Sequence, residues 1–169
     1  MTAQSTYSLI ANNPNSNTVV SVFNNIPQTY TDLILIINGN MNNSSSFVLD
    51  TFNGISTNGS MTAIYGNASS SGSDRATTQT GFVPLTSGNH SLVANVNTIE
   101  IHILNYANST TYKTVLWKCL SNNSGTGQVS CGAGTIQVTA PITSFHTSTQ
   151  SVSNYWTTGY HNLYGVGAA

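Results

Sequence analysis

Charge is what this sequence lacks most. It has three basic and four acidic residues, 4% of the 169-residue chain, for a net charge of −1. Typical soluble domains carry about 25%. Arg75, Lys113 and Lys118 are the entire basic complement apart from histidine. They cannot form the basic patch that phosphate neutralisation requires. This argues against nucleic acid as the main partner and against an anionic membrane surface. Asp32, Asp50, Asp74 and Glu100 are the entire acidic complement. Glycoside hydrolysis needs two carboxylates flanking the bond, and no local pairing presents them. There is no G-x-S-x-G elbow either. The expectation is a protein without catalytic residues.

Histidines are few and scattered. His90, His102, His146 and His161 include no pair at metal-ligand spacing, so neither a metal nor a cofactor is expected. The two cysteines, Cys119 and Cys131, lie twelve positions apart. The opening MTAQSTYSLIANN has neither a basic n-region nor an apolar h-region. No apolar run approaches the roughly 18 residues of a membrane-spanning helix. The expectation is synthesis and folding in a cytoplasm, where thiols stay reduced. Cys119 then reads as a packed free thiol, and the state of Cys131 is left open.

The missing charge is replaced by Asn, Ser, Thr and Gly, giving a wet, uncharged surface. Eight Tyr, five Phe and two Trp, with frequent Val, Ile and Thr in short runs, argue for an ordered chain. No helical period persists over ten residues. Many short strands between turn signals predict an all-β fold: a single-domain antiparallel β-sandwich, jelly-roll-like, over 7–169. Residues 1–6, with Thr2 and Gln4, read as an N-terminal arm.

The stretch 98–121 carries the clearest pattern. Ile99, Ile101 and Ile103 alternate with Glu100 and His102, the period of two of a half-buried strand. In the second run Val115, Trp117 and Cys119 share one face, and Leu116, Lys118 and Leu120 the other. This predicts a central hairpin whose second strand is covered on both sides, with Glu100 and the lysines meeting across it. Tyr30–Asn38 likewise reads as an interior strand covered on both faces. Thr78–Leu85 reads as one edge strand interrupted by Pro84. Gly66–Arg75 reads as a long polar contact loop exposing Gly66, Asn67, Asp74 and Arg75. The glycine-rich NNSGTGQVSCGAG reads as turns and bulges. Asn-x-Ser/Thr triplets, Asn67 and Asn108 among them, are expected by chance in such a composition.

Tyr155, Trp156, Tyr160 and His161 form the remaining cluster of chemical interest. Aromatics beside Asn and Thr suit a sugar platform. The favoured reading is that they cap the sandwich or fill a subunit interface, where Tyr and Trp are enriched. Low net charge promotes association, and Lys, a standard guard of sheet edges, is nearly absent. A homo-oligomer, dimer or trimer, is expected.

Four blocks resemble a known group. Tyr7-Ser8-Leu9-Ile10, the run Ile26-Pro27-Gln28-Thr29-Tyr30-Thr31-Asp32-Leu33, Asn105-Tyr106-Ala107-Asn108 with Thr111-Tyr112-Lys113-Thr114-Val115-Leu116, and Leu163-Tyr164-Gly165-Val166 look like small virion proteins of tailed bacteriophages, cyanophages included. The resemblance spans most of the chain. It implies a β-sandwich on the particle surface, with no catalytic residues to carry over. Two roles follow as expectations. One is a capsid decoration, or cement, protein bound to the major capsid protein and other virion proteins. The other is a tail-fibre or spike-tip module that binds host glycan. The Gly66–Arg75 stretch is where the chain departs from the group.

Overall fold

The computed structural model describes residues 6–85, 91–123 and 126–167. Thr2 and Gln4 of the expected arm, and His90, lie outside them. The described residues form strands and no helix. In chain order these are β1 (Tyr7–Pro14), β2 (Val20–Phe23), β3 (Asp32–Met41), β4 (Phe47–Phe52), β5 (Ile55–Ser56), β6 (Asn58–Asn67) and β7 (Ser71–Thr80). They continue with β8 (Phe82–Leu85), β9 (Val96–Leu104), β10 (Lys113–Asn123), β11 (Thr126–Ile136), β12 (Phe145–Thr149) and β13 (Trp156–Val166).

Two antiparallel sheets pack face to face. The larger runs β1-β13-β3-β9-β10-β11-β6-β7, and the smaller runs β2-β12-β4-β5 with β8 also on β4. Setting aside β5 and the hairpins β6–β7 and β10–β11 leaves eight strands, ordered β1-β13-β3-β9 and β2-β12-β4-β8. Renumbered by chain order this is 1-8-3-6 on 2-7-4-5, the two interlocked Greek keys of a jelly roll. The two hairpins are insertions. They pair with each other through β11 and β6, and widen one sheet from four strands to eight.

The sequence period explains which side faces in. Leu33, Leu35 and Ile37 on β3, Ile99, Ile101 and Ile103 on β9, and Val115, Trp117 and Cys119 on β10 are all buried against the smaller sheet. Phe47, Leu49, Phe52 and Phe145 fill the opposite side of the same core. The predicted hairpin is present: β9 and β10 pair antiparallel, with Glu100 opposite Lys118. Their side chains meet at 2.9 Å, an exposed pair worth at most about 1 kcal/mol.

Several expectations are corrected. Gly66–Arg75 is not a long loop. Gly66 and Asn67 end β6 and Asp74 and Arg75 lie within β7, so the stretch is an edge hairpin. Its short turn is closed by the Asn67 carboxamide oxygen, which accepts from the Ser69 and Ser70 amides, both at 2.9 Å. Asn108 does the same before β10, accepting from the amides of Thr110 and Thr111 at 2.7 and 2.9 Å. These two Asn-x-Ser/Thr triplets therefore act as turn caps. Thr78–Leu85 is two strands. The chain turns from one sheet to the other at Gly81, whose φ is +76°. Pro84 lies in β8, which pairs with β4, as an edge position allows.

The glycine-rich stretch ends β10 at Asn122 and Asn123 and from Thr126 onward is strand β11. Gly132 lies opposite Trp117, and a Cβ there would meet the Trp117 ring at 2.8 Å and the Thr62 carbonyl at 2.4 Å. The glycine clears space for the indole instead of making a turn. Gly132→Ala is expected to destabilise the fold by about 1–3 kcal/mol through overpacking. Urea denaturation measures this. A change under about 0.5 kcal/mol, the range of ordinary surface substitutions, would show that the indole yields freely.

Candidate functional site

The smaller sheet covers one face of the larger sheet, and no second layer covers the other face among the described residues. This exposed face is the candidate site. The ladder registers place its residues in rows across the strands. One row runs Asn162, Ile36, Glu100, Lys118, Cys131 and Ile64 from β13 to β6. The next runs Tyr164, Ile34, His102, Leu116, Ala133 and Thr62.

The face is apolar for a solvent-facing surface. Ile64 is 62% exposed, Leu120 58%, Val129 52% and Leu116 44%. The expectation that β10 is covered on both sides is thus corrected: Leu116 and Leu120 face outward. Ile34 and Ile36 on β3 are covered only by their neighbours within the sheet, chiefly Tyr164 and Tyr7 around a shallow hollow of about 220 Å³. A larger open hollow of about 580 Å³ lies between Val96, Thr98, Leu120 and Val129. The charge is concentrated. Glu100 pairs with Lys118, and Asp32 approaches His102 Nε2 at 3.4 Å while accepting from the Asn105 amide at 2.6 Å.

The aromatic cluster is largely internal. Trp156 and His161 are each 1% exposed, which corrects their assignment as contact residues. Their rings meet edge to face at 5.1 Å. His161 Nδ1 is 3.2 Å from the Thr147 hydroxyl. Burial pushes the imidazole pKa down to about 3, so the ring is neutral at pH 7. Tyr155 is half-buried, and its amide donates to Asn42 Oδ1. Tyr160 is exposed on β13, on the same outer face as Tyr164. Period two gives the reason for the split. Trp156 begins β13, which shifts register against β3 before Thr158, and His161 and Leu163 then face in while Tyr160 and Tyr164 face out.

Cys119 faces the core and Cys131 the outer face, so they cannot bridge through the sheet. Burial raises the Cys119 thiol to about 11, leaving it protonated and unreactive. Asp50 accepts from the Ser148 hydroxyl at 2.7 Å, and His146 pairs across from Val22 on the smaller sheet.

The four distinctive sequence blocks converge at one end of the sandwich. The Tyr106 hydroxyl donates to the Pro27 carbonyl. Gln28 donates to the Ile26 and Ile142 carbonyls, both at 2.9 Å. Tyr30 covers Gly165, where a Cβ would meet its ring at 2.3 Å. Lys113 is buried, and its ammonium donates to the carbonyls of Asn108, Thr111 and Thr139. Desolvation lowers its pKa. Tyr106, Gln28, Tyr30 and Lys113 of these blocks lock the fold, while Tyr7, Leu116 and Tyr164 of the same blocks lie on the outer face. No protein family, curated protein or solved structure matches this chain.

Proposed function

We propose that this chain is a bacteriophage virion structural protein, a capsid decoration protein that sits on the particle surface and braces the major capsid protein. The observation that supports it is the outer face of the eight-stranded sheet. It is broad and largely apolar, its charge confined to Glu100, Lys118 and Asp32 beside His102, and a surface of this kind marks a contact with another chain or a second copy. A jelly roll carrying such a face suits a component of a larger assembly. The sequence blocks that resemble small virion proteins of tailed bacteriophages point to the same setting.

The mechanism is mechanical. A copy that binds the closed capsid lattice and not its separated subunits stabilises the lattice by mass action. Bridging neighbouring subunits opposes the outward pressure of packed DNA. Contacts made by apolar and hydroxyl groups vary little with salt, whereas exposed ion pairs are screened.

The alternative, a host-binding fibre tip, rested on the Tyr155–His161 cluster as a sugar platform. With Trp156 and His161 in the core that platform is reduced to two tyrosines, and substituting Trp156 would test packing instead of adsorption. The test of the decoration reading is copy number in purified particles, measured by quantitative mass spectrometry against the major capsid protein. Near-stoichiometric abundance, together with lower thermal stability of particles lacking the chain, is the expected result. A few copies per particle would point to the tail, and absence would end the reading.

A further inference from the structure

We propose that the outer face of the large sheet is a homodimer interface, in which two copies pack sheet on sheet about a two-fold axis running along the strands between β9 and β10. The inference stands on the face itself and does not require the virion reading; on a virion the dimer would meet the capsid through its other surfaces.

Area is the first argument. Six strands, β13 to β6, spaced about 4.8 Å apart span roughly 24 Å between outer axes, or about 29 Å with strand width. The nine residues of β9 run about 30 Å. The face therefore offers roughly 850 Å², close to the 800 Å² or so per partner of a standard stable interface. The two outermost strands, β1 and β7, are carried away by sheet twist, and aligned sheets pack about 30° apart for the same reason.

Charge is the second argument, and it selects the occupant. Glu100 on β9 and Lys118 on β10 are a directly opposed pair, 2.9 Å apart, within an apolar surround. A foreign apolar partner would bury this pair with nothing to answer it, a costly desolvation. A second copy answers it. A two-fold axis between the two strands places Glu100 of one copy over Lys118 of the other, and the reverse, closing a ring of four alternating charges.

The same operation places β3 of each copy over β11 of the other. In the Glu100 row, Ile36 then lies over Cys131, and in the next row Ile34 lies over Ala133. Leu120, opposite Thr98 within one chain, lands over Thr98 of the second copy. That position is the open hollow of about 580 Å³ between Val96, Leu120 and Val129. Apolar side chains thus meet apolar or small positions at Ile36, Ile34 and Leu120, while the His102 imidazole, held beside Asp32, lies over Leu116 of the second copy. A free edge offers no such match. On β7, Asp74 and Arg75 point to opposite faces. Edge-to-edge pairing about a two-fold keeps faces together, so it cannot set one against the other.

The test is charge reversal with rescue. Wild-type chain is run in sedimentation equilibrium alongside Lys118→Glu, Glu100→Lys, the double swap, and a mixture of the two single variants. Circular dichroism confirms that each is folded. The expected result is a wild-type dimer with micromolar affinity, weakened about tenfold or more in each single variant through like charges facing across the axis. The double swap restores the dimer. The mixture forms a heterodimer tighter than either component alone, because each all-acidic pair meets an all-basic one. A wild-type chain that stays monomeric at about 100 µM, well above a micromolar dissociation constant, overturns the proposal. So do single variants that dimerise as wild type does, or a mixture no tighter than its components. Copy number in the particle is read separately, so either outcome there leaves this result intact.

Discussion

Asn97→Leu lowers the unfolding free energy by about 4 kcal/mol. Asn97 is fully buried at the start of the β9 ladder and uses its whole side-chain capacity. Its Oδ1 accepts from the Val93 amide at 2.9 Å and the Ser121 hydroxyl at 2.8 Å. Its Nδ2 donates to the carbonyls of Val93 and Asn95 at 2.9 and 2.8 Å. Leucine fits the volume but removes all four bonds, and each buried polar group left dry costs about 1–3 kcal/mol. Local opening of the 93–95 turn lets water reach some of them, which brings the total toward the lower part of that range. Asn97→Asp separates the halves of the network. Protonated, it keeps the two accepted bonds and one donated bond, so it should fall between wild type and leucine at low pH; once the carboxyl ionises, both donated bonds become oxygen–oxygen repulsions and stability drops further. Urea denaturation of the three proteins reads this directly. A leucine variant within 1 kcal/mol of wild type would mean the carboxamide contributes packing alone.

Acidification produces the second large effect, through His161. The folded pKa lies near 3 and the unfolded near 6.5, because burial among Trp156, Phe47 and Thr147 penalises the imidazolium. Between those values the unfolded chain takes up a proton that the folded chain refuses. Stability is therefore fully present above the unfolded pKa and is lost as pH falls toward the folded one. From pH 7 to pH 4 the loss from this residue is about 3 kcal/mol, at 1.36 kcal/mol per unit. His161→Phe keeps a ring beside Trp156 and gives up the Thr147 bond. It should be slightly less stable than wild type at pH 7 and more stable at pH 4. Thermal melts across that range decide it, and parallel pH profiles for the two proteins would remove His161 from the acid response.

The sequence shows most where one face is apolar and the other polar. The alternation of Ile99, Ile101 and Ile103 with Glu100 and His102 marked β9, its inward face and its partner strand. β7 was hidden because Ser71–Thr80 is polar on both faces, as an edge strand with little to bury can be, so no period remained to read. β11 was hidden because its glycines look like turn formers. Their purpose, clearance for Trp117 and Phe82, exists only once β10 and β8 are in place. The outward Leu116 and Leu120 look from sequence like the second face of a covered strand. Whether a layer lies above them is not local information. The inward placement of Trp156 and His161 is hidden in the same way: His161 is accommodated inside by staying neutral, and nothing in its neighbours along the chain signals that.

The hairpins β6–β7 and β10–β11 are separated by more than thirty residues of chain, yet each is the other's neighbour. Neither can finish its ladder alone. The β9–β10 turn ties one of them to the jelly-roll body, while the other reaches the larger sheet only through β11. β10–β11 extends from its chain neighbour β9, whereas the β6–β11 ladder joins segments far apart in sequence and carries the larger loop-closure cost. Such distant pairings slow folding. They also make β6–β7 the first part to open under native conditions, so its amides should exchange with solvent well before those of β3 and β9.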